Sequence, residues 1–224
     1  GVQTCALPIS TLSNGLFKFD GEKFYHFTEK EGVCNFISDM TINEKGEIWL
    51  AHSLDTFNIK TLIKPGISMF DGINYYPFTE KEGFINKQSN SIYSDKNEIL
   101  WIGSQNGIYK INKNQLFKFT IENGLISNTA ESFVKDKENN LWIVSYNGIS
   151  KIENFDLRQF RQKNSKIFEG VISTLIDDKN NLWTVSVNGT LNKINNRSMV
   201  SYFLNKAGIY DINSIAIEIG RAHV

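Results

Sequence analysis

The residues in this chain whose types could do chemistry are three histidines, two cysteines and a recurring set of carboxylates. They do not assemble into a catalytic pattern. His26 and His52 have no acid partner at a spacing that would single one out, and His223 lies in the terminal string IGRAHV. No Cys or His pair has the spacing of a zinc site, and no glycine-rich phosphate loop occurs. The stretches DKENN (136–140) and DDKNN (177–181) bring carboxylates close together. They lack the central Gly and distal bidentate Glu of a calcium-binding loop, and their recurrence favours turn chemistry. No catalytic residue, metal or cofactor is expected.

What remains is binding chemistry. Side-chain amides and aromatic rings suit hydroxyl-rich ligands through hydrogen bonds and apolar stacking. The candidates are Asn35, Asn90, Asn128 and Tyr210, then Gln105 and Tyr146, and finally Phe57 and Asn58. They are singled out by the elements that must position them.

Those elements repeat. Trp49, Trp101, Trp142 and Trp183 are spaced by 52, 41 and 41 residues. Eleven extra residues, about Leu54–Lys64, account for the longer interval. Gly66, Gly107, Gly148 and Gly189 keep the 41-residue phase, and Asn43, Asp95, Asp136 and Asp177 stand six residues before each Trp. Each unit reads as four strands, a to d, by alternation, β-branched and aromatic enrichment and short turns. In residues 84–120, strand a lies near Ser89–Ser94, followed by ILWIGS, IYKIN and QLFKFT. The Asn-Gly pairs predict two-residue type I′ turns between strands b and c. The Asp or Asn opening the a–b turn can bond its own backbone. Gly46, Asn139 and Asn180 then fall where a left-handed residue is needed.

About 41 residues per four-stranded unit is the spacing of β-propeller blades. The expected fold is all-β, with four complete blades at about 33–79, 84–120, 125–161 and 167–203. Strands c and d of a broken blade are expected at 15–28, and strand a of another near Asn213–Ile217, as an open arc. One Trp per unit, centred on strand b, reads as core. Propellers bind ligands at one end, where d–a links and b–c turns converge. That places Asn35, Asn90, Asn128 and Tyr210 on links, and Gln105 and Tyr146 on turns. Phe57 and Asn58 belong to the insert, expected at the rim.

The unit resembles the two-component regulator propeller repeat. DKNEILWIGSQNGIYKI (95–111) and DKENNLWIVSYNGISKI (136–152) carry the likeness best, with FTIENGLISN (119–128) as the link between blades. DDKNNLWTVSVNGTLNKI (177–194) and NEKGEIWLAHS (43–53) carry it with changes. The Gly before the Trp survives only as Gly46, and the usual Thr becomes His52, Ser104, Ser145 or Ser186. The resemblance implies a seven-bladed ring and a sensory domain on the periplasmic or extracellular side of a bacterial regulator. It also implies a small-molecule or oligosaccharide ligand, with signalling domains beyond the C-terminal end and a possible dimer in the full-length protein. Other readings are a lyase similar to the streptogramin-inactivating enzymes, for which only His52 is placed, and an interaction or secretion scaffold.

The 24 basic and 24 acidic residues balance, which makes nucleic acid a poor partner and attraction to anionic lipid unsupported. No run reaches the length of a membrane helix, so no membrane contact by this segment is expected. The ends differ from the rest. GVQTCALPI can be encoded by GGA GTT CAG ACG TGT GCT CTT CCG ATC, whose reverse complement, from its second base, encodes IGRAHV and a stop. That DNA resembles a widely used short-read sequencing adapter. Residues 1–10 and 218–224 are therefore expected to be foreign to a propeller domain at 11–217. They should complete no blade, and strand b should be missing at both ends. With Cys5 in such an end, Cys34 would be the lone native cysteine.

Overall fold

The computed structural model describes residues 7–11, 14–53, 66–78, 84, 88–96, 98–113, 115–153, 156–160, 170–196, 198–209, 212 and 215. The chain divides into two compact units, Gly1–Phe119 and Thr120–Val224.

The first unit holds three antiparallel sheets. One comprises β1 (Leu7–Ser10), β2 (Leu16–Phe19) and β3 (Phe24–Phe27). The next is β4 (Ile37–Ile42), β5 (Ile48–His52), β6 (Ile67–Phe70) and β7 (Tyr75–Phe78). The third is β8 (Ser89–Ser94), β9 (Leu100–Ser104), β10 (Ile108–Asn112) and β11 (Gln115–Phe119). The second unit holds β12 (Ser132–Lys135), β13 (Leu141–Ser145), β14 (Gly148–Glu153) and β15 (Asp156–Phe160) as one sheet. Its other sheet is β16 (Val171–Ile176), β17 (Leu182–Ser186), β18 (Thr190–Ile194) and β19 (Met199–Phe203). Each four-stranded sheet is a meander in the expected a–b–c–d order.

β1 corrects one expectation. Leu7–Ser10 pairs with β2 and fills the strand b position, which the sequence reading left empty. An open strand edge offers unpaired N–H and C=O groups to any extended neighbour. Thr11 closes the short connection, its Oγ1 accepting from Asn14 N at 2.8 Å. The blade is still incomplete, with three strands. Pro8 faces Lys18 where Trp101 faces Lys110 in the third sheet, so no aromatic ring fills that slot. The expected strand near Asn213–Ile217 falls mostly outside the described residues.

The a–b turns form as expected. Gly46, Asn139 and Asn180 have φ of 80°, 66° and 63°, and Glu98 joins them at 57°. The b–c turns do not. Gln105–Asn106 and Tyr146–Asn147 are the tip residues, and Gly107 and Gly148 follow them at φ 144°. Neither Asn has a positive φ, so these are not the expected type I′ turns. The glycines are needed for close approach, since a Cβ on Gly148 would lie 2.7 Å from Phe160 O. The last b–c turn differs again. NGTLNKI carries one residue more than NGISKI. A longer turn ending at Gly189, with φ 74°, absorbs it. Lys193 thereby faces Trp183 as Lys151 faces Trp142.

The links owe their shape to Thr and Gly. Thr28 caps a single helical turn, Glu29–Glu31, and Gly32 closes it at φ 86°. Thr120, Ile121–Asn123 and Gly124 repeat this at φ 96°. In each four-stranded blade the strand b Trp packs against an aromatic of strand d. The pairs are Trp49–Phe78, Trp101–Phe119, Trp142–Phe160 and Trp183–Tyr202. Cores of aliphatic side chains lie between neighbouring sheets of the same unit, such as Ala51, Ile67, Ile92 and Ile102 in the first.

Candidate functional site

The d–a links and b–c turns lie at the same end of each meander, because strand a begins where strand b finishes. In the first unit the link into β4 is fixed by two carbonyls. Asn35 O accepts from Gly15 N at 3.0 Å, and Phe36 O accepts from Ser53 N at 3.2 Å. His52, buried at the end of β5, adds a third bond, its Nδ1 lying 3.3 Å from Phe36 O. A carbonyl only accepts, so Nδ1 carries the proton and Nε2 accepts from Ser68 Oγ at 2.7 Å. Tyr75 OH lies 3.5 Å from the same Nε2. Burial pushes the Tyr75 hydroxyl up to about 12.

The second unit uses the same slot more simply. Ser145 stands where His52 does, and its Oγ donates to Thr129 O at 2.7 Å. In both cases a side chain at the end of strand b holds the carbonyl sixteen residues earlier. This accounts for Thr, Ser or His at that repeat position. Ser104 takes a variant, donating to Gly107 O at 2.8 Å.

Each candidate residue can now be placed. Asn35 is half-buried, and its Oδ1 is buried without a hydrogen-bond partner. Asn90 sits at a break in register between Ser89 and Ser91. The same irregularity occurs at Ser38 and Ile172, at one phase of the repeat. Such bulges re-aim a side chain. Ser38 Oγ donates to Ser89 O at 2.6 Å, which ties the starts of β4 and β8 together beside Asn90. Gln105 is exposed at the β9–β10 tip. In the second unit, Tyr146 is 44% exposed at the β13–β14 tip. Asn128 is adjacent to Thr129, so the Ser145 bond brings its link to that tip. Its Oδ1 accepts from Ile121 N at 2.9 Å, so it braces the link as well. Phe57, Asn58 and Tyr210, with the insert Leu54–Lys64, lie outside the described residues.

Two features escaped sequence reasoning. One is the His52–Ser68–Tyr75 cluster, joined by residues that are distant in sequence. The other lies at the opposite end of the second unit's first blade. Asp136 Oδ2 accepts from Trp142 Nε1 and Asn140 Nδ2, both at 2.9 Å. Lys151, fully buried, stands 3.7 Å from Asp136 and 4.9 Å over the Trp142 ring, with Nζ donating to Asn196 Oδ1 at 2.6 Å. Asp177 repeats the bond to Trp183 Nε1 at 2.8 Å. Burial opposes the Asp177 charge, but the Trp183 and Asn181 donors outweigh it and hold the carboxyl at about 2. The six-residue Asp-to-Trp spacing was the signal for this lock.

Comparison with known proteins gives a fold. No family model matches the chain, and no curated protein matches it. Solved structures do. The extracellular domain of the hybrid two-component system BT3049 from B. thetaiotaomicron aligns with TM-score 0.64 and 19% identity, over 80% of this chain and 25% of that one. PorZ, a surface component of the type-IX secretion system of Porphyromonas gingivalis, aligns with TM-score 0.67 and 12% identity, over 93% and 34%. Virginiamycin B lyase from Staphylococcus aureus aligns with TM-score 0.55 and 14% identity, over 74% and 55%. The chain thus spans about a quarter of the two-component structure and a third of PorZ. A two-component extracellular domain, a secretion component and a lyase share this architecture, and the likeness is one of fold alone. The sheets described above are blades of a β-propeller.

Proposed function

We propose that this chain is a ligand-binding sensory propeller, part of the extracytoplasmic sensor of a bacterial two-component regulator. It works on the periplasmic or extracellular side and binds a small molecule or an oligosaccharide at its links and b–c turns. The observation that carries this reading is Asn35 Oδ1, a buried acceptor without a partner on a link pinned by Gly15 and Ser53. An unsatisfied buried acceptor costs about 1–3 kcal/mol. Holding one on so rigid a link provides for an incoming donor such as a sugar hydroxyl. Asn90 and Gln105 extend the amide surface of the same unit, and in the second unit Asn128 supplies an amide and Tyr146 an aromatic ring.

The chain itself binds and does not catalyse. In this reading His52 is structural, one ring nitrogen bonded to Phe36 O and the other to Ser68 Oγ. The lyase reading needs a histidine with a carboxylate beside it. A ligand that favours one of two sensor states shifts their populations and passes the signal on.

Calorimetric titration with a panel of oligosaccharides tests the proposal. Asn35→Ala and Asn90→Ala should each weaken binding at least about fivefold, the equivalent of one hydrogen bond, with unchanged circular dichroism. No binding by any panel member, or full affinity in both variants, would sink it.

A further inference from the structure

The first complete blade reverses a polar pair that the second unit repeats. In the second unit a carboxylate opens the a–b turn and an amide follows four residues later, as Asp136–Asn140 and Asp177–Asn181. In the first complete blade the two are exchanged. Asn43 opens the turn, and its Nδ2 donates to Glu47 Oε2 at 2.6 Å. Asn43 Oδ1 is taken by the backbone N–H groups of Lys45 and Glu47, at 3.1 and 2.9 Å. No carboxylate is left at the point where Asp136 and Asp177 hold their indoles. Trp49 Nε1 has no hydrogen-bond acceptor among the described residues. The ring also lacks the lysine that covers the other three tryptophans, because Met69 faces it.

A groove of about 220 Å³ opens at this point between the β4–β7 and β8–β11 blades of the first unit, with Trp49 in its wall. Leu100 and Leu116 supply further apolar surface, and Gln115 and Ser94 supply polar groups. Its charges cancel, since Lys45 and Lys113 are met by Glu47 and Glu98. Lys45 and Glu98 bridge at 2.7 Å from opposite walls. The volume lies below the roughly 300–1,000 Å³ of sites for drug-sized ligands, so one ring fits and a chain does not. Net neutrality disfavours a charged ligand. An aromatic wall beside amide, hydroxyl and paired ions suits a molecule with an apolar face and a rim of donors and acceptors. We propose that this groove is a second binding site, for one neutral polyhydroxylated ring of pyranose size, with Trp49 Nε1–H donating to a ring hydroxyl. The groove lies at the opposite end of the blades from Asn35 and Asn90, so the proposal stands independently of the sensor reading.

The test is titration of the full chain, 15N-labelled at tryptophan, with methyl glucoside, methyl galactoside and N-acetylglucosamine. Trp49→Phe assigns the indole signal. The Trp49 N–H should shift saturably in the millimolar range with at least one sugar, while the Trp142 and Trp183 signals stay in place. Gln115→Ala, at an exposed position, should weaken that binding several-fold. Asn43→Asp/Glu47→Asn restores the carboxylate of the other blades and should abolish it without unfolding the chain. No shift up to about 50 mM, a shift unchanged in both variants, or a response only to a sugar acid or amino acid would overturn the proposal.

Discussion

The Trp142 blade and the Trp49 blade put the same ring in the same slot and treat it differently. Trp142 is fully buried, with its indole N–H on Asp136 and Lys151 over its face. Trp49 is half-buried, faces Met69 and borders a groove. The exchange of one carboxylate and one amide, with Met69 in the place of Lys151, separates the two. A repeat residue can thus be a structural fastening in one blade and a surface in the next, while the backbone stays the same.

The largest contrast should appear on removing the rings. Trp142→Ala should destabilise its unit by about 3–5 kcal/mol in urea unfolding, and Trp49→Ala by about half that. Equal losses would erase the distinction. Lys151→Met, which copies the first blade into the second unit, leaves the buried Asp136 carboxylate without its cation, while Glu153 keeps Arg158. It should cost about 3 kcal/mol. Met69→Lys, the reverse change, meets no carboxylate and should alter stability by less than about 1 kcal/mol.

Smaller effects separate the two units in pH. Tyr75 has its pKa raised to about 12 in the folded first unit, against about 10 unfolded. Its stabilisation is complete below pH 10 and is lost as pH rises toward 12, by up to about 2 kcal/mol. Tyr75→Phe should flatten that alkaline loss in chemical denaturation. Asp177 runs the other way. Its folded value of about 2 lies below the unfolded value. Its contribution is present above about pH 4 and fades as pH falls toward 2, and solvent screening keeps it below about 1 kcal/mol. Asp177→Asn should remove that acid sensitivity, while substitution of uncharged Asn43 should leave it in place.

Much of the fold was legible because it rests on local rules. The Trp phase gave four meanders, and the Asp-to-Trp spacing gave the a–b turns with their left-handed Gly46, Asn139 and Asn180. The Asn-Gly turns were misread because Gly107 and Gly148 answer to crowding from distant residues, such as Phe160 O, and not to local turn geometry. β1 was missed because an open edge pairs with whatever extended chain adjoins it. The bulge at Asn90 and the unpaired Asn35 oxygen depend on contacts between blades, which sequence spacing does not encode. For the same reason the Phe36 and Ser68 partners of the His52 ring were not legible in the sequence. The reversed Asn43–Glu47 pair was visible in the sequence, but its meaning needed the hydrogen bonds of the other blades.

Hydrogen exchange of the tryptophan indole N–H groups, followed by NMR in the full chain, tests most directly whether carboxylate placement decides the fate of each ring. The Trp142 and Trp183 protons should be strongly protected, and the Trp49 proton should exchange at least about tenfold faster, becoming protected in Asn43→Asp/Glu47→Asn. A Trp49 proton as slow as that of Trp142 in the unmodified chain would contradict the account.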